Sequence, residues 1–535
     1  MKKYCFLVIL ISLSFCHFSM AQTVIQTDTI SLQSGEQSFD INIPHTSYSL
    51  LDLSLYIGLN KDCHFNDEEF VSLQLKNQNM DSEIKNVEFA RVFLPSFSDH
   101  RKLGNEVIYH FDVSLWQEWL MENKQLILVF SGKPKGVKAA ISLRMEEGEL
   151  PIEVSKIIPL WQSSMQGFPY GKLGVDQEKY LPTQDIDLPD EAHSAFISIM
   201  VNGLSEKGSQ QKQDSRFYFL KVNGQDVAKR SIWREDCGLN PIYPQDKGWA
   251  EGRSNWCPGL RVNPLTHYVN DDLLKQKKLS VDLSFQKDYQ GNSSIDAYVT
   301  SAVLFLTSGP HDQLNVSITE ILAPNIDMWH HRYNPICGSP VILIQNNGQE
   351  RVHSITFNYG YNYETDNKYR WKGELGYMEA EIVYLPPLNW YFYDNNDQPE
   401  SFTVHVSAVN KEEKAFEGGR KTSMMELAEV LPQKLVFEIQ TDEQAQSNGF
   451  EIFDEDGEAY FISGDLESDS LYKFEMKLIP GCYEMVVYDL DGDGLQMKES
   501  TTSCFKIIDA KKETIIKEFS GDFGSEIREQ FMIFR

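Results

Sequence analysis

The stretch Leu279-Ser280-Val281-Asp282-Leu283-Ser284-Phe285 decides the fold. Apolar and polar residues alternate, and successive side chains of an extended chain point to opposite faces, so one face is apolar and the other polar. That is a half-buried strand. The same period recurs in Ser49-Leu50-Leu51-Asp52-Leu53-Ser54-Leu55-Tyr56 and in Leu435-Val436-Phe437-Glu438-Ile439, with Gly, Pro, Asn and Asp turns bounding the runs. Helical signals are short: Leu115 to Met121 and Met424 to Val430 each predict a turn or two. Many short strands with little helix give sandwiches or barrels rather than alternating β-α-β units. No fixed-period repeat is visible, which disfavours a solenoid or propeller.

The chain has 535 residues, 41% hydrophobic and 24% charged. At roughly 100–200 residues per domain it holds about three to five domains, and it needs no metal or disulfide staple merely to fold. Chain breakers at Glu149-Leu150-Pro151, Ser308-Gly309-Pro310 and Leu431-Pro432-Gln433 set the borders. They predict a leader at 1–21 and four β domains at 22–153, 154–311, 312–431 and 432–535. The leader pairs basic Lys2 and Lys3 with an apolar run from Tyr4 to Phe15 and small residues at Ser19 and Ala21, placing cleavage before Gln22. The apolar run is shorter than the ~20 residues of a membrane helix, and no later segment reads as a transmembrane span. A lipoprotein reading through Cys16 is weakened by bulky Phe15 before it. The expected location is exported: periplasmic, cell-surface or extracellular. The net charge of −29 repels phosphate, so nucleic acid is an unlikely partner and anionic lipid is disfavoured.

Eight cysteines become six once Cys5 and Cys16 leave with the leader. Cys237 with Cys257, and Cys482 with Cys504, are close in sequence and flank turn-rich β segments, so both pairs read as disulfides in an oxidising compartment. Cys63 and Cys337 are left over, either pairing across domains or staying as thiols. Two CxxC pairs at zinc spacing are absent.

The most unusual stretch runs from Trp233-Arg234-Glu235-Asp236-Cys237-Gly238-Leu239-Asn240-Pro241 to Trp249-Ala250-Glu251-Gly252-Arg253-Ser254-Asn255-Trp256-Cys257-Pro258-Gly259. Indole faces pack on the apolar faces of sugar rings, and Arg and Glu side chains grip hydroxyls, so this mixture suits a carbohydrate site on a loop. A self-packed Ω-loop, its Trp residues forming a private core, is the competing reading and the one the residues alone favour.

Here the sequence resembles the peptide-N-glycosidase F family, secreted amidases that release N-linked glycans from asparagine. Arg253-Ser254-Asn255-Trp256-Cys257-Pro258-Gly259 is similar to the family's Arg-x-x-Trp-Cys-Pro-Gly signature, with Cys237 at the partner cysteine and Asn240-Pro241 after it. Val87-Glu88-Phe89-Ala90-Arg91-Val92-Phe93-Leu94-Pro95, Phe111-Asp112-Val113 and Glu147-Gly148-Glu149-Leu150-Pro151 resemble further family segments in the same order, over about 50–310. The resemblance implies two adjacent antiparallel jelly rolls, an arrangement shared with copper monooxygenases that hydroxylate peptidyl-glycine. It also implies a catalytic Asp soon after a cysteine. The matching stretch is Cys63-His64-Phe65-Asn66-Asp67-Glu68-Glu69-Phe70, where the carboxylate is Glu68 or, with a one-residue gap, Asp67. Glu69 replaces the Arg that should follow. The family's second acid and a nearby Trp fall at Phe130 and Gly132. Its third acid falls in Gln210 to Arg216, near Lys212, with Glu206 and Asp214 as possible substitutes. Arg253 and Trp256 are retained.

Amide hydrolysis needs a base to deprotonate water and groups to stabilise the oxyanion and leaving amine. Glu68 is the candidate base and Arg253 the candidate clamp; Trp256, Trp249 and Glu251 are the candidate glycan contacts. A copper centre is disfavoured, because the His residues are scattered and His330-His331 point to opposite faces in a strand. In the third domain, Tyr359, Tyr361, Tyr363, Tyr369 and Trp371 read as core and edge-strand residues of an immunoglobulin-like module before they read as a sugar platform. In the fourth, Asp489-Leu490-Asp491-Gly492-Asp493-Gly494 matches the start of a calcium loop, with Ser500 where the twelfth-position Glu would be. An Asp/Gly hairpin is the rival reading there. Calcium held by Asp489, Asp491 and Asp493 is the cofactor expectation for that domain, and the jelly rolls need none.

The sequence thus predicts an all-β exported protein, tandem antiparallel jelly rolls followed by two further β-sandwich modules. It would engage N-glycoproteins or glycopeptides with catalysis weakened or lost. The alternatives are an active amidase and a structural or adhesion protein of the envelope.

Overall fold

The computed structural model describes residues 22–58, 68–79, 82–95, 106–132, 137–150, 152–169, 176–190, 192–204, 217–245, 248–286, 297–310, 312–392, 399–495 and 503–534. The leader, Cys63, Asp67, Glu206, Lys212, Asp214 and Ser500 lie outside these residues. The fold is all-β, and nearly every strand pair is antiparallel. Gln117–Glu122 is helical, as expected. Met424 to Val430 is not: Arg420–Met424 and Glu429–Leu431 are strands, and the latter pairs in parallel with the last strand, Glu526–Ile533. Tertiary pairing overrides the weak local helix signal there.

The chain divides into two compact units, the first comprising 1–234 with 252–309 and the second 235–251 with 310–535. In the first unit, one sheet orders Gln22–Gln26, Lys138–Glu147, Tyr48–Gly58 and Glu106–Asp112, and a second orders Gly35–Asp40, Gln125–Phe130, Phe70–Lys76 and Asn86–Phe93. Leu51, Leu53, Leu55 and Ile57 are all 0% exposed, which is the inward face of the predicted alternation.

The next pair of sheets runs Ile152–Gln162, Ala297–Pro310, Ser194–Leu204, Leu265–Val269 and Gln184–Asp187, Lys278–Phe285, Phe217–Val222, Gln225–Ser231. Leu279, Val281, Leu283 and Phe285 pack in one core with Ala195, Ile197, Ile199, Leu304 and Leu306 of the other sheet. Ser194–Leu204 is buried on both faces. Its alternate residues Phe196 and Met200 lie outside this core, on the side that meets the first jelly roll.

The second unit holds two more sheet pairs, within 316–424 and 429–533. Tyr359 and Trp371 are buried in the core of the first of these and Tyr361 and Tyr369 pack half-buried against it, while Tyr363 is exposed. The expected Cys482–Cys504 bond is absent. Cys482 bonds Cys337, with Cα atoms 5.7 Å apart, whereas Cys504 is a buried thiol whose pKa burial pushes up to about 12. The two strands belong to different sheets, and the Cys482 side chain joins the core of the 316–424 sheets while Cys504 faces that of 429–533. Nearness in sequence did not bring them together. Cys237 and Cys257 are both disulfide-bonded, the state expected of them.

Candidate functional site

The return arm of the Trp-rich loop, residues 252–262, is stitched to both jelly rolls of the first unit. Phe93 N–H donates to Leu260 O at 2.9 Å and Val262 N–H to Arg91 O at 2.8 Å, which ties the arm to Asn86–Phe93. On the other side, Asn255 Nδ2 donates to Val201 O at 2.7 Å and Trp256 Nε1 to Gly203 O at 2.9 Å. Asn255 makes the required turn at φ 64°, a left-handed conformation that Asn tolerates. Its sequel is an aromatic stack. Phe70 and Phe93 pair across their strands with centroids 5.2 Å apart, Phe93 stacks on Trp256 at 4.1 Å, and the Arg253 guanidinium lies 4.6 Å from the Trp256 centroid.

Glu68 and Glu69 lead directly into this stack. Glu68 is half-buried. Glu69 O accepts Leu94 N–H at 2.9 Å, and the Ser131 hydroxyl accepts Phe70 N–H at 2.8 Å, which fixes the entry to the strand. The Glu69 carboxyl lies over Gly132: a Cβ added there would sit 2.4 Å from Glu69 Cδ and 2.5 Å from the Phe130 ring. Phe130 is itself buried, at 1% exposure. So the two positions where the resemblance implies an acid and a Trp hold a buried ring and a bare backbone covered by the carboxyl of Glu69, the residue before the neighbouring strand.

Deeper in the same junction, Arg91 and Glu88 form a buried ion pair. Arg91 Nε donates to Glu88 Oε1 at 2.9 Å, and Arg91 Nη1 donates to Val299 O at 3.0 Å and to Asn202 Oδ1 at 2.5 Å. Burial opposes the Glu88 charge, but the Arg91 guanidinium and the Ser72 and Ser301 hydroxyls outweigh it and hold the carboxyl below its usual range. With its lone pairs so taken, Glu88 welds the jelly rolls and is a poor base. Beside it lies a cavity of ≈ 140 Å³ walled by Phe89, Trp116, Phe196 and Phe305. The sequence carried Glu88 and Arg91 only as part of a family-like segment; three-residue spacing in a regular strand puts them on opposite faces, and the register shift that skips Phe89 is what lets them pair.

The expected glycan contacts fare differently. Trp256 is 0% and Arg253 1% exposed, so neither has a face to offer a sugar. Phe93 and Arg253 cover the indole, and the pair forms a wall of the junction rather than a platform. Trp249 and Glu251 belong to the second unit. Trp249 is 3% exposed, stacks near Tyr243 with centroids 6.2 Å apart, and donates through Nε1 to Asp522 Oδ1 at 2.6 Å. It is a packing residue, and Glu251 alone of the four is exposed.

The crown of the loop, residues 235–251, is built into that second unit by Arg332. Its Nε donates to Asn240 O at 2.8 Å, Nη2 to Phe523 O at 2.8 Å and Nη1 to Glu526 O at 2.6 Å, while its guanidinium lies 4.0 Å from the Tyr243 centroid. Ser525 N–H donates to Gly238 O at 2.9 Å. Gly524, at φ 76°, leaves room for this approach, because a Cβ there would come within 2.1 Å of Gly238 O. Sequence reasoning missed Arg332 and singled out its neighbours. His330 Nε2 pairs with Glu320 at 2.9 Å and His331 stacks on Tyr243 at 5.4 Å, both packing roles.

In the Asp-rich loop, Asp489 Oδ2 accepts the N–H groups of Asp493 and Gly494 at 2.8 and 2.9 Å, and Oδ1 accepts Asp491 N–H at 3.3 Å. Asp491 takes the Ser447 hydroxyl. Among the described residues no three of His, Cys, Asp or Glu stand together as ready metal ligands. The Asp489 and Asp491 carboxylates therefore take protein donors.

Residues 172–304 match the family model described as peptide-N-glycosidase F, C terminal. The peptide-N(4)-(N-acetyl-beta-D-glucosaminyl)asparagine amidase F of Elizabethkingia miricola is 25% identical over 240 residues, 42% of this chain and 65% of the relative, so the match spans just under two thirds of that protein. The solved structure of PNGase F, a glycosylasparaginase from Flavobacterium meningosepticum, is 21% identical with a TM-score of 0.46, covering 54% of this chain and 97% of that one. PNGF-II is 13% identical with a TM-score of 0.42, covering 54% and 66%. Among the described residues, no helix is long and apolar enough to cross a membrane. The recognition made from the loop signature stands as a similarity: the chain is similar to the peptide-N-glycosidase F family, and its residues 172–304 match the model of that family's C-terminal domain.

Proposed function

We propose that this exported protein engages N-glycoproteins or glycopeptides through the jelly-roll junction of its first unit, with amidase catalysis weakened or lost. One observation carries the reading: Phe130 is a buried ring, and Gly132 is covered by the Glu69 carboxyl. A phenyl group can neither move a proton nor raise the pKa of a neighbouring carboxylate by like-charge interaction. Glu68 then works without the acid that the resemblance implies at position 130, and hydrolysis loses part of its proton-transfer and charge-stabilising machinery. Arg253 and Trp256 act by shape, as the buried wall behind the Glu68-Glu69-Phe70 segment.

A working amidase with Glu68 as base and Arg253 as clamp is the second reading, favoured by the stack that brings Phe70, Phe93, Trp256 and Arg253 together. Calorimetry with a purified glycopeptide and its deglycosylated peptide tests the proposal. Binding of the glycopeptide alone, retained in Glu68→Gln, is the expected result. Equal binding of both peptides, or of neither, would contradict glycan engagement and leave an envelope scaffold.

A further inference from the structure

The Asp489–Gly494 turn holds an atom that the protein alone does not use. Asn448 opens the strand Asn448–Phe453, opposite Asp489 in register, and its side chain is 94% removed from solvent at 6% exposure. Its Nδ2 donates to Asp489 Oδ1 at 3.1 Å. Its Oδ1 is buried and has no hydrogen-bond partner among the described residues. Flipping the amide does not cure this, because it would press an oxygen against the Asp489 carboxylate and orphan an N–H instead. A buried amide oxygen without a donor carries a desolvation penalty that native folds avoid unless something else supplies the positive charge.

The oxygen lies on an amide that already touches Asp489 Oδ1, the atom that also accepts Asp491 N–H. Hard oxygen donors of this kind, carboxylates with one amide carbonyl, are the set that calcium takes. Gly494, at φ 79°, turns the chain where a Cβ would lie 2.2 Å from Gly521 O, so the turn that gathers the three Asp residues is imposed by packing. Asp489 Oδ2 is filled by the Asp493 and Gly494 N–H groups, so the ion takes Oδ1 and displaces its two longer contacts, from Asn448 Nδ2 at 3.1 Å and Asp491 N–H at 3.3 Å. Asp491 needs only to leave the Ser447 hydroxyl, an exposed contact, to face inward.

We propose that Asp489, Asp491 and Asp493, joined by Asn448 Oδ1, form a calcium site that closes when the ion binds. The ion supplies the positive partner Asn448 lacks and replaces the Asp491–Ser447 contact. Glycan engagement plays no part in it.

The test uses the full chain, stripped with chelator and titrated with calcium, with magnesium at equal ionic strength as the control for a strongly acidic protein. The expected result is one calcium per chain by calorimetry and a rise of several degrees in the melting transition of the second unit at 1 mM calcium, with a much smaller magnesium effect. Asp491→Asn should lower calcium affinity about tenfold or more while leaving the ion-free melting curve unchanged, since Asn still accepts the Ser447 hydroxyl. Asn448→Ser, which removes the amide oxygen, should also weaken binding. No calcium heat, equal shifts with both ions, or calcium binding unaltered in both variants would each overturn the proposal.

Discussion

Residues 235–251 and 252–262 are consecutive halves of one Trp-rich loop, yet they are held by different machinery. The crown is fixed by a single long side chain, Arg332, reaching three carbonyls, and by Trp249 on Asp522. The return arm is fixed by ring stacking, Trp256 between its hydrogen bond to Gly203 and the face of Phe93. The first is a polar clamp on backbone and the second an apolar weld between jelly rolls. Residues that look like one sugar-binding cluster in sequence serve two separate cores, and the abundance of Trp reflects packing in both.

The contrast breaks most sharply at Trp256. Trp256→Ala should remove a fully buried indole and destabilise the first unit by about 3–5 kcal/mol, read as an earlier denaturant midpoint. A loss under about 1 kcal/mol would mean that the weld lies elsewhere. Arg332→Ala should cost about 2–4 kcal/mol, by leaving buried carbonyls unpaired and the Tyr243 face uncovered. Amide hydrogen exchange should rise across 238–250 and not across 253–262. Equal deprotection of both halves would show that the loop is one cooperative element after all.

The smallest expected effect is in pH. His267 is buried against the Tyr218 hydroxyl, and burial followed by the Arg230 charge lowers its pKa to about 4. A histidine depressed in the fold leaves the unfolded chain to bind the proton first, so stability is intact above about pH 6.5 and declines as pH falls towards 4. The first unit should therefore lose up to about 3 kcal/mol over that window. His267→Gln should flatten the decline, and an unchanged slope would remove His267 as its cause.

The strand alternation was legible where a strand buries one face only, as Leu279 to Phe285 does, and not in Ser194–Leu204, which is buried on both. The family-like loop was legible because Arg253 to Gly259 is a dense signature. Burial was not. A Trp and an Arg spaced by two residues read equally well as a ligand grip or as a guanidinium packed on an indole, and only the position of Phe93 separates them. Nor could spacing assign Cys482 to Cys337, since the choice depends on which core each strand face meets. Arg332 stood unnoticed beside two histidines because its partners are backbone carbonyls, which leave no mark in a sequence.

The central claim is that glycan engagement has been separated from amide cleavage, and mass spectrometry of a denatured N-glycoprotein incubated with the wild-type chain tests it most directly. The account predicts that glycosylated asparagines stay intact, with no free glycan and no conversion of Asn to Asp. Catalytic release of free glycan with that conversion, abolished by Glu68→Gln, would contradict it and make the protein a working amidase.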